Sequence, residues 1–180
     1  MRCFVAVDIP EELKSRISSV HEEFSSLDVK LVEPENLHFT LKFLGEIDET
    51  EIEAVSEKLS AVAKTLSPFS VLLSGIGAFP SLSYIRVIWI GALSDDFLNL
   101  HNTVAVSLKN IGKPEKEAVP HLTIARVRSA RDKEIIARII KRYEKESFGS
   151  MQVDKIKLKK STLAPRGPIY EDIMSFELCK

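Results

Sequence analysis

The chain is short of the residues from which cofactor and metal sites are built. Its two cysteines, Cys3 and Cys179, lie near the two ends and offer neither a disulfide framework nor metal-ligand spacing. Cys3 sits in an apolar run and reads as a small buried residue; Cys179, second from the end, is misplaced for prenylation. No His-x-x-x-His, Cys-x-x-Cys or His/Asp/Glu cluster occurs, so neither a metal nor a metal cofactor is expected. The seven glycines are scattered, without a phosphate loop or a dinucleotide fingerprint, which argues against nucleoside-triphosphate hydrolysis. An excess of one charge is also missing. Lys and Arg number 25 against 26 Asp and Glu, a net charge of −1, so any contact with nucleic acid must come from a local patch. No apolar run approaches the ~20 residues of a membrane span, and the first residues do not resemble a signal peptide. A cytoplasmic enzyme or binding protein is the expectation, with hydrophobic (44%) and charged (28%) contents in the ordinary range for a globular chain.

What the chain does have is a short pattern written twice. His38-Phe39-Thr40-Leu41 matches His121-Leu122-Thr123-Ile124. On a strand, side chains alternate between faces, so each histidine shares a face with its threonine while the apolar residues point into a core. Two such segments facing one cleft would supply two proton-transfer groups and two hydroxyl donors. That set suits acid–base chemistry on an anionic centre such as a phosphodiester.

The two histidines are 83 residues apart, and the same offset organises the chain. Arg2 to Asp8 reads as a strand and maps onto Ile85 to Gly91. Leu13, Ile17, Val20 and Phe24 have helical spacing after Pro10; Phe97, Leu100, Val104, Leu108 and Ile111 have it between Asp95-Asp96 and Gly112. Each copy then reaches its motif strand. A helix follows with Ile52, Val55, Leu59, Val62 and Leu66 in the first copy. In the second, Ala130 to Tyr143 places Ile135, Ile136, Ile139, Ile140 and Tyr143 on one side. A further strand closes each copy, Phe69 to Ala78 and Gln152 to Leu163, and Tyr170 to Leu178 adds a last one. Short joins are expected around Phe79-Pro80-Ser81 and Gly112-Lys113-Pro114. The expected fold class is α+β: two pseudo-symmetric lobes with antiparallel sheets flanked by helices, forming one bilobal domain over residues 1–180 with the cleft between lobes.

A single strand histidine reads most simply as a packing residue. Two in matching tetrads read as one shared site. At neutral pH each imidazole can hold or release a proton, so one of His38 and His121 would serve as base and the other as acid. Thr40 and Thr123, unremarkable as isolated strand threonines, would there donate to non-bridging phosphate oxygens. Arg126 lies five residues after His121, so strict alternation puts it on the opposite face unless a bulge turns it back. Facing the cleft, its guanidinium would match phosphate. His21 and His101 lie on the helices and read as structural or solvent-facing. The remaining basic residues, Arg128, Arg131, Lys133, Lys155, Lys157, Lys159, Lys160 and Arg166, read as solvated faces; alternating lysines commonly mark the exposed side of a strand.

Three stretches, Met1 to Asp8, Pro34 to Glu46 and Pro120 to Arg126, together resemble the 2H phosphoesterase superfamily, and within it the bacterial and archaeal RNA 2′,3′-cyclic phosphodiesterases, also called 2′-5′ RNA ligases. The resemblance covers nearly the whole chain and implies a bilobal fold with both motifs lining a central cleft and no metal requirement. It implies RNA 3′ ends bearing a 2′,3′-cyclic phosphate as the partner, hydrolysed to a 2′-phosphate, with ligation as the reverse type of reaction. By that resemblance His38 and His121 are the acid–base pair, and Thr40, Thr123 and Arg126 bind phosphate. In the arrangement first considered, His121 takes the proton from water and His38 protonates the departing 3′ oxygen. A small cyclic phosphate, a 2′-5′ oligonucleotide, or a non-catalytic RNA-end-binding module are the alternatives. No obligate protein partner is evident, and a monomer is expected.

Overall fold

The computed structural model describes residues 1–112, 119–165 and 167–179. The chain runs β1 (Arg2–Asp8), α1 (Glu11–Phe24), β2 (Val29–Leu31), a 3₁₀ turn (Pro34–Asn36), β3 (His38–Glu46), α2 (Glu49–Ala63), β4 (Phe69–Ser81), β5 (Tyr84–Leu93), α3 (Asp95–Ser107), β6 (His121–Val127), α4 (Lys133–Arg142), β7 (Ser147–Val153), β8 (Lys155–Ala164) and β9 (Gly167–Glu177). The α+β class expected from the sequence is observed.

The helices form where apolar residues recur every three or four positions and stop-start chemistry frames them. Leu13, Ile17, Val20 and Phe24 are the buried stripe of α1. Asp48 opens α2 with a capping box to Glu51, and Ser94 caps α3 by accepting from the Phe97 amide. Helix α4 is shorter than expected, because Ala130 to Asp132 form a turn ahead of it. Ile136, Ile139 and Ile140 are its buried stripe; Ile135, expected among them, is exposed. It stands about 100° around the helix from Ile136, off the packed side.

The strands build one antiparallel sheet in the order β7-β4-β5-β6-β3-β1-β8-β9, with β2 added on β6. At the centre, β6 and β3 are paired through one residue pair, Phe39 with Leu122. The sheet is therefore two halves, β7-β4-β5-β6 with β2 added and β3-β1-β8-β9, meeting at a narrow seam. Phe39 and Leu122 are both fully buried, and Phe39 packs edge-on against Phe97 of α3 with ring centroids 5.0 Å apart. The helix-covered core thus lies behind the seam, and the motif side chains lie in front of it.

Three sequence expectations are corrected here. The run Gln152 to Leu163 is two strands broken at Asp154, since β7 pairs with β4 in one half of the sheet and β8 with β1 in the other. No single straight strand can serve both. Phe79-Pro80-Ser81 is not a join but the end of β4; Pro80 sits where the β4–β5 register shifts, a position that tolerates a missing N–H, and the turn falls at Leu82-Ser83. Helix α3 ends at Ser107 with Leu108 as its C-cap, so the expected closure at Gly112 is not observed. Gly112 is left-handed (φ +76°) where a Cβ would lie 2.4 Å from the Phe43 carbonyl oxygen, and Lys113 and Pro114 of that expected join lie outside the described residues. The short β2 was not anticipated: three residues carry no readable alternation.

Candidate active site

The seam pairing decides the site. With Phe39 opposite Leu122 in an antiparallel sense, their neighbours His38, Thr40, His121 and Thr123 all project from the other face of the sheet. All four line one cleft of about 520 Å³.

Each imidazole is held in the same way. His38 Nδ1 donates to the Asn36 carbonyl and His121 Nδ1 to the Val119 carbonyl, both at 2.7 Å and both two residues upstream. A carbonyl oxygen only accepts, so Nδ1 keeps its hydrogen and Nε2 is left for chemistry in both rings. His38 Nε2 lies 3.1 Å from Thr40 Oγ1. An aromatic ring stands perpendicular to each imidazole: Tyr170 on His38 (5.2 Å, 90°) and Phe79 on His121 (4.9 Å, 88°). These contacts fix both rings before any ligand arrives.

Arg126 does reach the cleft. The β5–β6 register runs Trp89 with Thr123 and Ile88 with Ala125, skipping Ile124. This bulge buries two successive residues, Ile124 and Ala125, and returns Arg126 to the face of His121 and Thr123, where it lines the cleft. Strand β3 has the same irregularity. The register passes from Thr40 to Lys42, skipping Leu41, and Leu41 and Lys42 are buried in succession. Phe43 then emerges three residues after Thr40, as Arg126 does after Thr123. It is 58% exposed although aromatic, and it too lines the cleft.

The electrostatics are unequal. Burial lowers the His38 pKa from the ordinary 6.5; the hydrogen bond to the Asn36 carbonyl opposes this, Lys159 adds to it and Asp8 counters it. Burial raises the Tyr170 phenol, against a pull from Arg126. Among the described residues no group of three His, Cys, Asp or Glu side chains could hold a metal ion.

Of the other expected basic residues, Lys157 and Lys159 are not solvated. Lys159 is 8% exposed, and both lysines bond Asp8 and Asp172. Lys155, Lys160 and Arg131 make partly exposed ion pairs, Arg128 and Lys133 are exposed, and Arg166 lies outside the described residues. His21 and His101 are buried in α1 and α3, with His101 bordering the cleft. Sequence reading missed Phe43, Phe79, Tyr170 and Lys30 as cleft residues. None of them left a signal: alternation from His38 puts Phe43 on the core side with Phe39 and Leu41, and only the skip at Leu41 brings it out.

The fold and this paired arrangement of histidines define a phosphoesterase. The family model for LigT-like phosphoesterases matches residues 7–89 and 92–170, one motif in each stretch, and the chain belongs to that family. It is 44% identical over 174 residues to a Methanocaldococcus jannaschii protein named RNA 2′,3′-cyclic phosphodiesterase, covering 96% of this chain and 98% of that one. An Archaeoglobus fulgidus protein of the same name is 42% identical over 180 residues, covering 98% and 100%. A solved Thermus thermophilus structure superimposes with a TM-score of 0.85 at 29% identity, covering 99% and 98% of the two chains. Escherichia coli LigT bound to 3′-AMP has the same fold, with a TM-score of 0.81, 22% identity, and coverage of 99% and 98%.

Proposed function

We propose that the protein hydrolyses the 2′,3′-cyclic phosphate at RNA 3′ ends to a 2′-phosphate. The observation that carries this is the seam: one residue pair sets both histidines and both threonines around a single cleft, and the bulge at Ile124 adds Arg126. The names of the full-length relatives supply the substrate class.

In this reading the cyclic phosphate lies between the motifs. Thr40, Thr123 and Arg126 donate to its non-bridging oxygens and hold the charge that grows on them. One Nε2 takes a proton from water as the water oxygen bonds to phosphorus. The P–O3′ bond breaks, and the other Nε2–H protonates O3′. Burial favours the neutral form of His38, which fits the base and leaves the acid role to His121. This reverses the order first considered from the sequence. Phe43 and Tyr170 offer flat surfaces to the terminal nucleoside. An RNA 5′-hydroxyl in place of water would give a 2′-5′ linkage.

We also read the chain as one domain made by internal duplication. The two matched stretches support this, as does the mirrored strand order about the seam. It acts as a cytoplasmic monomer without an obligate partner; no helix among the described residues is long and apolar enough to cross a membrane. The test is an RNA ending in a 2′,3′-cyclic phosphate, incubated with the protein in EDTA. A 2′-phosphate product is expected; an unchanged end or a 3′-phosphate overturns the assignment. Faster turnover of a small cyclic phosphate or a 2′-5′ oligonucleotide would move the substrate class.

A further inference from the structure

The two histidines share a tautomer, a backbone partner and a perpendicular ring, yet acid and base must differ. Besides burial, they differ in their cross-strand neighbour. His38 stands opposite Asp8 on β1, and His121 stands opposite Gly91 on β5. A side chain at position 91 has no room, because its Cβ would lie 2.8 Å from the Ser74 carbonyl oxygen. The fold thus admits a carboxylate beside one histidine and excludes it beside the other.

Asp8 does not stand alone. Lys157 and Lys159 each bridge Asp8 and Asp172: Lys157 at 2.8 and 2.5 Å, Lys159 at 3.0 and 2.6 Å. The four side chains close a ring of two cations and two anions on the His38 side of the cleft. Burial would raise the Asp8 carboxyl, but the lysine bonds override it and hold the pKa low, so Asp8 stays ionised. An ion ring beneath a strand surface is weak evidence for stability, since desolvation offsets most of its attraction. Its position suggests another use.

We propose that Asp8, clamped by Lys157 and Lys159, is a positioning residue that raises the proton affinity of the buried His38 imidazole, a carboxylate contribution that His121 lacks from its own cross-strand position. The ring is neutral, and its nearest members act on His38 in opposite senses: Lys159 disfavours the imidazolium and Asp8 favours it. Among the described residues, Tyr170 from β9, Arg126 and His121 from β6 across the seam, Lys30 and Glu33 from β2 and the segment after it, and His101 from α3 are the other ionisable groups lining the cleft. The inference rests on the reading that His38 transfers a proton.

The test is a charge cycle of Asp8→Asn, Lys159→Met and the double variant. The His38 and His121 ring signals are followed by NMR against pH in the free, full-length protein. Asp8→Asn leaves the ring with one net positive charge and moves the His38 midpoint down. Lys159→Met leaves one net negative charge and moves it up. The double variant restores neutrality and returns the midpoint toward wild type, while His121 moves less throughout. The limb of the kcat/KM profile that belongs to His38 shifts with its midpoint. A His38 midpoint that stays put in a folded single variant, or moves the same way in both, overturns the proposal. Should Asp8→Asn fail to fold, Lys159→Met decides alone, because methionine fills a buried lysine's space without its charge. The titration needs no substrate, so it can fail while the RNA-end assay succeeds, and the reverse.

Discussion

Arg126→Ala separates binding from folding more cleanly than any other change in the cleft. The guanidinium is exposed, and among the described residues nothing accepts a hydrogen bond from it. Its removal leaves no orphaned partner, so stability changes by no more than about 0.5 kcal/mol, as for an ordinary surface site. Binding is different. A charge-assisted bond to phosphate contributes about 1.5–3 kcal/mol. At about 1.4 kcal/mol per factor of ten, that is roughly a 10- to 150-fold loss in kcat/KM on cyclic-phosphate RNA. Arg126→Lys keeps the charge and loses the fork, and falls between. The assay pairs steady-state kinetics with titration of two RNAs, one ending in a 2′-phosphate and one in a 3′-hydroxyl, at two salt concentrations. Only the phosphorylated end should lose affinity, and the salt slope should fall by about one contact. A change under about threefold, or an equal loss for both ends, would mean that the bulge at Ile124 does not aim Arg126 at phosphate.

His38→Ala and His121→Ala should each lower kcat by about 10²–10⁴-fold with an unchanged circular dichroism spectrum, and the double variant should be little worse than either single. Near-wild-type turnover in either folded variant removes that residue from the mechanism. With His38 as base, activity is lost as pH falls through its depressed pKa, so the acid limb of kcat/KM lies below 6.5; an alkaline limb that follows His38 instead assigns it as the acid. Activity should persist in EDTA, since side chains supply both the proton transfer and the charge; loss in EDTA with recovery on zinc or manganese refutes this. Phe39→Ala at the seam should cost about 3–5 kcal/mol in a denaturant titration, and a cost under about 1 kcal/mol would show that the seam does not depend on that ring.

The motif histidines and threonines were legible because alternation on a strand is a local rule, and it held from His38 to Thr40 and from His121 to Thr123. It failed one residue later in both strands. Ile124-Ala125 looks like an ordinary apolar step, and Lys42 looks like an exposed charge, yet Lys42 is 2% exposed. A bulge is a property of two strands in register, and neither strand's sequence announces it. The same limit applies to Tyr170, whose place against His38 comes from where the β8–β9 hairpin lands, and to Lys159. Its alternation with Lys155 and Lys157 reads as an exposed side until Asp172, across the hairpin, and Asp8, far off in sequence, are brought to it. The break at Asp154 was hidden for a related reason: only the sheet order shows that its two sides must travel to opposite halves.

The narrowness of the seam connects fold to chemistry. A full ladder between β3 and β6 would continue the sheet as one surface and leave the motif side chains on a flat face. With a single pair at Phe39 and Leu122, the strands are joined at one place, which is the place between each histidine and its threonine. Beyond it β3 and β6 diverge, with β2 taking the place of β3 beside β6, and the cleft lies in front of this junction. So short a junction is supported from behind by Phe97 and the surrounding core, and beside it by the β2–β6 ladder. The catalytic geometry therefore depends on side-chain packing beneath the sheet. A volume change at Phe39 or Leu122 should disturb both histidines together, whereas a change at Asp8 should disturb one.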